Sequence, residues 1–380
     1  MEKQVKNPFP VNGYQGQEWF CNRTGETHAI LSALTNGRNV TLHSLRRMGK
    51  TDLIHHLFFL LEKKGFIAIY ADVYSTENLK HFTEAFATAI ARAYPEENSI
   101  GKSIWAFIKS LRPVISYDDF SHKPEITFAS SQEENKNQTI QQLLSILEKL
   151  PKPVIVAFDE FQQITQYPEK RLEAWMRSNI QSLKNVNFIF SGSQQHLLGQ
   201  MFTETSRPFF GSTQMYGLGK IQEKEYSTFI KEKFSSAKMI IRDTEIESIL
   251  KWTRAHTFYV QMICNRLFAL HPEIVSDEDV KSVFEGILRE NEAAYFNYKN
   301  ILPETQWRLL SAIAKEGSVS SPTSNSFIHQ HRLGSSSAVL KAVKGLLDKE
   351  FIYQELIENK KVLFVYDTFF SRWLEKLKMI

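Results

Sequence analysis

The residues of this 380-residue chain that could do chemistry fall in two short segments. The first, SLRRMGKT at residues 44–51, follows the phosphate-binding pattern G-x-x-x-x-G-K-S/T except at its first position, where Ser44 replaces glycine. In that pattern backbone N–H groups surround the phosphates, a lysine contacts the terminal phosphates and a hydroxyl binds magnesium. Lys50 and Thr51 are therefore candidates to bind a triphosphate and its metal.

The second segment is VIVAFDE at residues 154–160, in which an apolar run leads into Asp159 and Glu160. Such a run predicts a buried parallel strand that brings its terminal acids to the carboxyl edge of a sheet. There Asp159 could hold Mg²⁺, directly or through water, while Glu160 polarises the attacking water. A solvated acid pair after a buried strand is the alternative, and the phosphate loop upstream argues against it.

The elements predicted around the phosphate loop have the order strand, helix, strand, helix. Residues 39–43 and 66–73 are apolar runs typical of buried strands, whereas residues 51–65 and 78–94 have the apolar spacing of helices. A phosphate loop must join a strand to a helix whose N-terminal N–H groups face the anion, and this context is present. The order predicts an α/β fold, a P-loop NTPase parallel sheet with helices on both faces.

Three more charged side chains lie in the loop or directly after it. Arg46 and Arg47 could approach a phosphate or pair with an acid across the site, and for at least one of them a surface ion pair that pins the loop is the alternative. Asp52 places a carboxylate in the first turn of the helix. This position suits the helix dipole but opposes a triphosphate if the side chain points toward it.

Serines end a further predicted strand at residues 186–190. Ser191 and Ser193 are candidates to contact a terminal phosphate or the attacking water, because the end of a neighbouring strand is well placed for both. Turn formation and helix capping by the same serines is an equally weighted alternative, since Gln194 begins a helix-like segment.

Together these motifs resemble those of the P-loop ATPases in the AAA+/STAND assemblage, specifically the archaeal-type ATPases also found in bacteria. The resemblance covers nearly the whole chain. It implies binding of ATP or ADP with Mg²⁺ and hydrolysis of ATP to ADP and phosphate, and slow turnover would suit a switch better than a motor. Four ordered segments carry it: FCNRTGETHAIL at 20–31, SLRRMGKTDLI at 44–54, VIVAFDEFQQI at 154–164 and FIFSGSQQHLL at 188–198.

The resemblance also implies roles for individual residues. Lys50 would contact the β- and γ-phosphates. Thr51 and Asp159 would bind Mg²⁺, and Glu160 would act on the hydrolytic water. The candidate catalytic residues are Glu160, Lys50, Ser191 and Arg207. The candidate nucleotide-binding residues are Ser44, Leu45, Arg46, Arg47, Met48, Gly49, Lys50, Thr51 and Asp52 in the loop, with Arg23 from the segment near the base.

Arg207, in TSRPFFGS, and Arg177, in WMRSNIQ, are the candidates for an arginine finger, because a cation at the γ-phosphate accelerates phosphoryl transfer. An ordinary salt bridge is the alternative for both. The chain also departs from the family pattern, since RAHTFYVQ at residues 254–261 stands where many relatives carry a Gly-x-Pro element in the helical lid. A nucleotide contact through His256 or Thr257 therefore does not follow from the resemblance.

The composition of the chain argues against several other classes of protein. The formal net charge is +4, because 46 Lys and Arg nearly balance 42 Asp and Glu, so no strong attraction to polyanions is expected. Cys21 and Cys264 lie in different predicted domains, which argues against a disulfide framework. No signal peptide and no apolar run of membrane-spanning length are recognisable, so we expect a cytoplasmic protein without a membrane partner.

The pattern along the chain predicts three domains. Residues 1–220 would form the ATPase domain, with an irregular insertion at residues 95–138. Residues 221–300 contain four helical segments without strands, which predict an all-α lid domain over the ATP site. Residues 301–380 have the order helix, serine-rich turn, helix, strand pair, helix, which predicts a winged-helix domain.

Two roles are open for the winged-helix domain. DNA contact would use cations of the reading helix and the wing, although the charge excess of the domain is small. A protein-interaction or autoinhibitory role is slightly favoured by that weak charge and by the aromatic residues Phe369, Phe370 and Trp373, for which a place in the local core is the alternative. The candidate DNA-contacting residues are Lys341, Lys344, Lys349, Lys360 and Lys361.

These observations predict an ATP-dependent conformational switch, in which hydrolysis shifts the lid and the winged-helix domain relative to each other. The alternatives are a nucleotide-regulated DNA-binding protein and a scaffold that holds ADP and barely hydrolyses ATP. A homo-oligomer is compatible with each, since an arginine finger can come from another copy of the chain.

Overall fold

The computed structural model describes residues 6–96, 99–111, 113–119, 121–128 and 136–377. Contacts between residues divide the chain into two compact units. The first unit is Asn12–Lys220. The second combines residues 6–11 with the described chain from Ile221 onward.

The first unit is built on a five-stranded parallel sheet, in which the neighbouring strands are, in spatial order, Ile67–Asp72, Val154–Asp159, Val186–Gly192, Val40–His43 and Gln214–Gly217. Because all five strands are parallel, the loops that follow them meet at one edge of the sheet. The strands are β1 (Val40–His43), β2 (Ile67–Asp72), β5 (Val154–Asp159), β6 (Val186–Gly192) and β7 (Gln214–Gly217), with β3 (Val114–Tyr117) and β4 (Pro124–Thr127) forming a separate antiparallel pair.

Helices cover both faces of this sheet, as the alternation of side chains along β5 requires. Val156 and Phe158 pack into one apolar cluster with α3, and Ile155 and Ala157 pack into the other with α2. The predicted P-loop NTPase sheet with helices on both faces is confirmed. The helices of this unit are α1 (Thr24–Thr35), α2 (Lys50–Lys63), α3 (Leu79–Ala93), α4 (Ser99–Ser110), α5 (Lys136–Glu148), α6 (Leu172–Gln181) and α7 (Gln195–Thr203).

The insertion at residues 95–138 is more regular than predicted. It contains α4 and the β3–β4 pair, and Trp105, Ile108 and Ile126 are buried in the main apolar cluster. The prediction of an irregular segment was wrong, because the apolar spacing in α4 already has the helical period. The remaining residues, 97–98, 112, 120 and 129–135, lie outside the described part of the chain.

The second unit begins with a helical region. Its helices are α8 (Glu223–Ser236), α9 (Asp243–Thr253), α10 (Thr257–Ala269) and α11 (Asp277–Ile301), as the sequence predicted. Residues 6–11 complete its core, an assignment that the sequence did not predict. Phe9 is 1% exposed and its ring lies 5.2 Å from the ring of Phe234, between centroids. Asn7 and Asn265 each donate a side-chain hydrogen bond to the segment of the other.

The winged helix follows in the predicted order, with one additional helix. It consists of α12 (Glu304–Glu316), α13 (Asn325–His331), α14 (Ser336–Asp348), β8 (Ile352–Ile357), β9 (Lys360–Val365) and α15 (Thr368–Lys376). Ser335 caps α14 and Ser324 caps α13, so the serine-rich turn supplies two helix starts. The predicted hairpin is present, and its turn uses Glu358 and Asn359 with φ of 48° and 62°.

Aromatic and basic side chains join the winged helix to α9. The Trp252 ring stacks on Phe284 at 4.1 Å and lies 5.4 Å from Phe369. Arg372 donates to the backbone oxygens of Trp252 (2.8 Å) and Lys251 (3.1 Å) at the end of α9. Phe369, Phe370 and Trp373 are all buried, so the local-core alternative is correct for them.

Within the described ranges, no helix is both long enough and apolar enough to cross a membrane.

Replacing Arg372 with alanine is expected to lower the free energy of unfolding by about 1.5–3 kcal/mol, because a charged donor to the carbonyl oxygens at a helix end contributes about this much. Calorimetric melting of the full chain would measure the change. Lys376→Ala on the same helix is the control, since Lys376 is 60% exposed and its ion pair with Glu285 is long, at 3.9 Å. Equal melting temperatures for both variants would contradict the prediction.

Candidate functional site

The phosphate loop connects β1 to the first residue of α2, Lys50. Gly49 precedes it with φ 89°, a left-handed conformation that favours glycine. Ser44 has no positive φ, so the glycine of the common pattern is not needed there for the backbone. The Ser44 hydroxyl donates to the backbone oxygen of Leu45 (2.8 Å), and the side chain is buried. The open N–H groups at the start of α2 are the part of this loop that suits an anion.

Lys50 is buried among charged neighbours. Burial lowers its pKa, the carboxylates of Glu160 and Asp159 oppose that shift, and the positive charge of Arg46 adds to it. The structure therefore brings together the lysine and the acid pair that the sequence placed in separate segments.

Asp159 lies at the centre of the predicted metal site. Its Oδ2 accepts hydrogen bonds from Thr51 Oγ1 (2.9 Å) and from the Tyr70 hydroxyl (2.7 Å), while its Oδ1 accepts from the Glu160 N–H (3.1 Å). Burial raises the pKa of Tyr70, and the Asp159 charge adds to this effect. Thr51 and Asp159 thus meet, as the metal prediction requires.

The oxygens of this pair fit Mg²⁺, which takes one or two carboxylates together with phosphate oxygens and water. Across the described ranges, no group of three or more His, Cys, Asp and Glu side chains is placed to hold a metal ion. A metal at Thr51 and Asp159 would therefore not have a full set of acidic, histidine or cysteine ligands from the described residues, and the oxygens of a triphosphate could complete its coordination.

Glu160 is held by a set of donors around one oxygen. Its Oε2 accepts hydrogen bonds from the Ser193 N–H (3.1 Å), the Ser193 hydroxyl (2.8 Å) and Gln162 Nε2 (2.6 Å). Arg46 Nε in turn donates to Ser193 Oγ (3.4 Å). Glu160 itself has φ 55°, a conformation that is uncommon for a residue other than glycine.

Of the two candidate sensing serines, the structure brings only Ser193 to the acid pair. Strand β6 continues through Gly192, so Ser191 lies inside the strand rather than after it. Its Oγ is fully buried and has no hydrogen-bond partner. The geometry therefore favours Ser193 over Ser191 as the polar group next to Glu160.

Arg23 braces the phosphate loop from outside. The side chain is 5% exposed, and it donates to the backbone oxygens of Met48 (3.3 Å) and Gly219 (2.7 Å) as well as to Glu26 (3.0 Å). These contacts fix the loop to the segment after β7. A contact of Arg23 with the nucleotide base stays a prediction.

The other predicted charged residues lie around this centre. Arg47 is exposed and has φ 62°. Burial raises the pKa of Asp52, and the Asp52 charge adds to the effect of burial in raising the pKa of Tyr14. Arg207 forms a salt bridge with Glu173 at 3.1 Å, which is the alternative role considered for it. The Nε atoms of Arg207 and Arg177 are both buried without a partner. The arginine-finger assignment stays a prediction for both residues.

Sequence reasoning missed three polar residues of the site. Tyr70 and Asp72 lie at the carboxyl end of β2, where Asp72 is in register with Asp159, and Gln162 follows the acid pair. Burial raises the pKa of Asp72, a hydrogen bond from the Tyr74 N–H opposes this, and the charges of Asp159 and Glu160 add to it. The rule that parallel strands end at a common edge could have identified the β2 residues.

Comparison with known proteins assigns the family. Residues 20–263, more than half of the chain, match a family described as an ATPase domain predominantly from Archaea. Residues 293–376 match a family described as a probable winged helix domain. The chain therefore belongs to this archaeal-type ATPase family and carries a winged-helix domain, which confirms the predicted resemblance. No curated protein sequence matches the chain.

Solved structures share the fold over nearly the whole chain. The Walker-type ATPase of Pyrococcus abyssi is 17% identical with a TM-score of 0.68, covering 97% of this chain and 99% of its own. The ORC2 protein of Aeropyrum pernix, solved as ADPNP-ADP complexes, is 13% identical with a TM-score of 0.60, covering 98% and 96%. The ORC1 protein of Aeropyrum pernix, solved in complex with DNA, is 13% identical with a TM-score of 0.51, covering 98% and 95%.

His43, next to the phosphate loop, is expected to make the folded protein less stable in acid. Burial lowers the pKa of His43, and the nearby Lys50 charge adds to that effect, so the unfolded chain binds more protons than the folded chain below about pH 6.5. This contribution is present above the unfolded pKa and is lost as the pH falls. In His43→Gln, the drop in melting temperature between pH 7.5 and 5.5 is expected to be smaller than in wild type.

His28→Gln is the control for this comparison, because His28 is exposed. Subtracting the wild-type drop in melting temperature from that of each variant removes the contribution of the titratable groups that wild type and the variant share. An unchanged pH dependence in His43→Gln would show that the histidine does not contribute.

Proposed function

We propose that this protein binds ATP with Mg²⁺, hydrolyses it slowly to ADP and phosphate, and uses its nucleotide state to control the winged-helix domain. The observation that carries the proposal is the meeting of Lys50, Thr51 and the acid pair Asp159 and Glu160 at one edge of the sheet. These groups come from two distant segments, and no structural need requires a buried amine beside acids and open helix N–H groups. The nucleotide complexes of the ORC2 protein, which shares the fold, agree with this proposal.

Each side chain has a defined part in the proposed reaction. Lys50 and the N–H groups of α2 bind the phosphates and neutralise their charge. Thr51 and Asp159 would hold Mg²⁺, which would offset negative charge on the phosphate oxygens. Glu160 accepts a hydrogen bond from the attacking water and orients it toward the terminal phosphorus. Ser193 fixes Glu160 and lies where it can respond to the terminal phosphate.

The packing of the winged helix refines the switch that the sequence predicted. Trp252 of α9 lies against Phe284 of α11 and Phe369 of α15, and Arg372 bonds to the end of α9. Moving the winged helix against the lid would expose these rings and break the hydrogen bonds of Arg372 to the end of α9, which is costly. We therefore propose that the lid and the winged helix move as one body when the nucleotide changes.

A nucleotide-regulated DNA-binding protein is the second candidate. Lys341 and Lys344 are exposed on α14, and Lys360 and Lys361 are exposed on the wing. The ORC1 protein, which shares the fold, was solved in complex with DNA. Exposed Leu340 and Leu356 lie among these cations, so the surface is less purely cationic than phosphate binding favours. Electrophoretic mobility of duplex DNA with and without ATP separates this candidate from a protein-binding switch.

A scaffold that holds ADP is the third candidate, and it differs from the main proposal only in the rate of hydrolysis. Release of phosphate by the purified protein decides between the two.

Lys50→Ala is expected to weaken ATP binding at least tenfold, because a charge-assisted hydrogen bond contributes about 1.5–3 kcal/mol. Isothermal titration calorimetry measures the change. Lys64→Ala, at the far end of the same helix, is the control and should bind like wild type. Equal affinity in all three proteins would exclude Lys50 from the site.

Glu160→Gln should keep the affinity for ATP while lowering kcat by about 10²–10⁴-fold, the usual contribution of a positioned general base. Phosphate release under saturating ATP measures kcat, and calorimetry measures binding on the same samples. Wild-type turnover in Glu160→Gln would mean that another group positions the water.

A further inference from the structure

Gln162 holds an unusual position next to the candidate base. It lies in the 3₁₀ turn Phe161–Gln166 that follows Glu160, it is 3% exposed, and its Nε2 donates to Glu160 Oε2 at 2.6 Å. The left-handed conformation of Glu160 starts this turn, and the Gln163 N–H donates to the Glu160 backbone oxygen at 2.9 Å. The turn therefore folds the Gln162 amide back onto the carboxylate two residues before it.

Gly192 makes room for this amide. A Cβ at Gly192 would lie 2.0 Å from Gln162 Oε1, which is far inside van der Waals contact. It would also lie close to Gln162 Cδ (3.1 Å) and Leu198 Cδ2 (3.2 Å). Gly192 has no left-handed φ, so its backbone conformation is open to any residue. Space for the Gln162 amide is therefore the main physical reason for a glycine at the end of β6, and Leu198 adds a weaker steric restriction.

The hydrogen bonds around Glu160 are unevenly distributed over its two oxygens. The Gln162 amide, the Ser193 N–H and the Ser193 hydroxyl all donate hydrogen bonds to Oε2. A carboxylate oxygen that accepts three hydrogen bonds has no further lone-pair direction to offer, whereas Oε1 is not addressed by these donors. The arrangement thus fixes the plane of the carboxylate and assigns the two oxygens different tasks.

We propose that Gln162 is a positioning residue for Glu160, and that Gly192 is glycine so that the Gln162 amide can reach the carboxylate. This inference rests on the proposed function and deepens it. Glu160 Oε1 accepts the proton of the attacking water as the water oxygen bonds to the γ-phosphorus. The bond from the γ-phosphorus to the bridging oxygen breaks, and its electron pair leaves with ADP. Gln162 itself does not touch the substrate.

Gln162→Met tests the positioning role, because methionine has nearly the same length but no donor. Its kcat for ATP is expected to fall at least tenfold while the Kd for ATP stays within about threefold of wild type, since the lost bond orients a base and not a phosphate. Gln163→Met is the matched control. The Gln163 side-chain amide donates to the Thr76 backbone oxygen at 3.0 Å and not to Glu160. The kcat of Gln163→Met should therefore equal that of wild type.

Gly192→Ala tests the role of the glycine. Its Cβ should displace the Gln162 amide and reduce kcat as Gln162→Met does. In a Gln162→Ala background the amide that a Cβ would meet is gone, and only Leu198 Cδ2 stays close, at 3.2 Å. Gly192→Ala should then add less than about a twofold further loss, a non-additivity that reports direct contact with Gln162. The melting temperature of every variant is measured alongside, and the kcat comparison uses variants that remain folded.

Each outcome decides a separate claim. Wild-type or raised kcat in Gln162→Met overturns the positioning role, provided that wild type itself hydrolyses ATP. Equal losses from Gly192→Ala in the presence and absence of the Gln162 side chain overturn the packing explanation. Failure of wild type to bind or hydrolyse ATP overturns the proposed function, and the catalytic part of this inference with it.

Discussion

The site depends on one electrostatic constraint, the burial of the Lys50 amine beside carboxylates at the carboxyl edge of the sheet. Burial disfavours the ammonium ion, and the place of Lys50 at the start of α2 adds the positive end of a helix dipole. Asp159 and Glu160 oppose both effects. They lie there because β5 is buried on both faces and ends at the same edge as β1. A bound phosphate would add negative charge where the amine and the open N–H groups both favour it.

Local sequence signals predicted the core of this arrangement well, because each was a motif within a single element. The apolar runs, the loop and the acids after β5 required no knowledge of distant contacts. The choice between Ser191 and Ser193 depended on where β6 ends. A strand that continues by two residues places one serine in the ladder and the next beyond it, and the pattern of apolar residues does not report that difference.

Features that depend on contacts between distant segments could not be predicted from local sequence signals. Phe9 carries no helical or strand period, yet its ring completes a core made by helices more than two hundred residues later. Strand β7 is a short edge strand in which Met215 and Tyr216 are half-buried and the two end residues are exposed, so its apolar signal is weak. The polar contacts of Tyr70 and Gln162 with the acids likewise follow from strand register and turn geometry, which composition alone does not determine.

Two glycines of the site, Gly49 and Gly192, are required for different physical reasons. Gly49 is needed for a left-handed backbone, whereas Gly192 is needed for the space that the Gln162 amide occupies. Ser44 meets neither condition, because its φ is not positive and its buried hydroxyl is satisfied by the Leu45 carbonyl. The departure from the common phosphate-loop pattern therefore leaves intact the backbone N–H groups at the start of α2, which suit an anion. A motif position can lose its glycine without losing its chemistry when neither conformation nor space requires one.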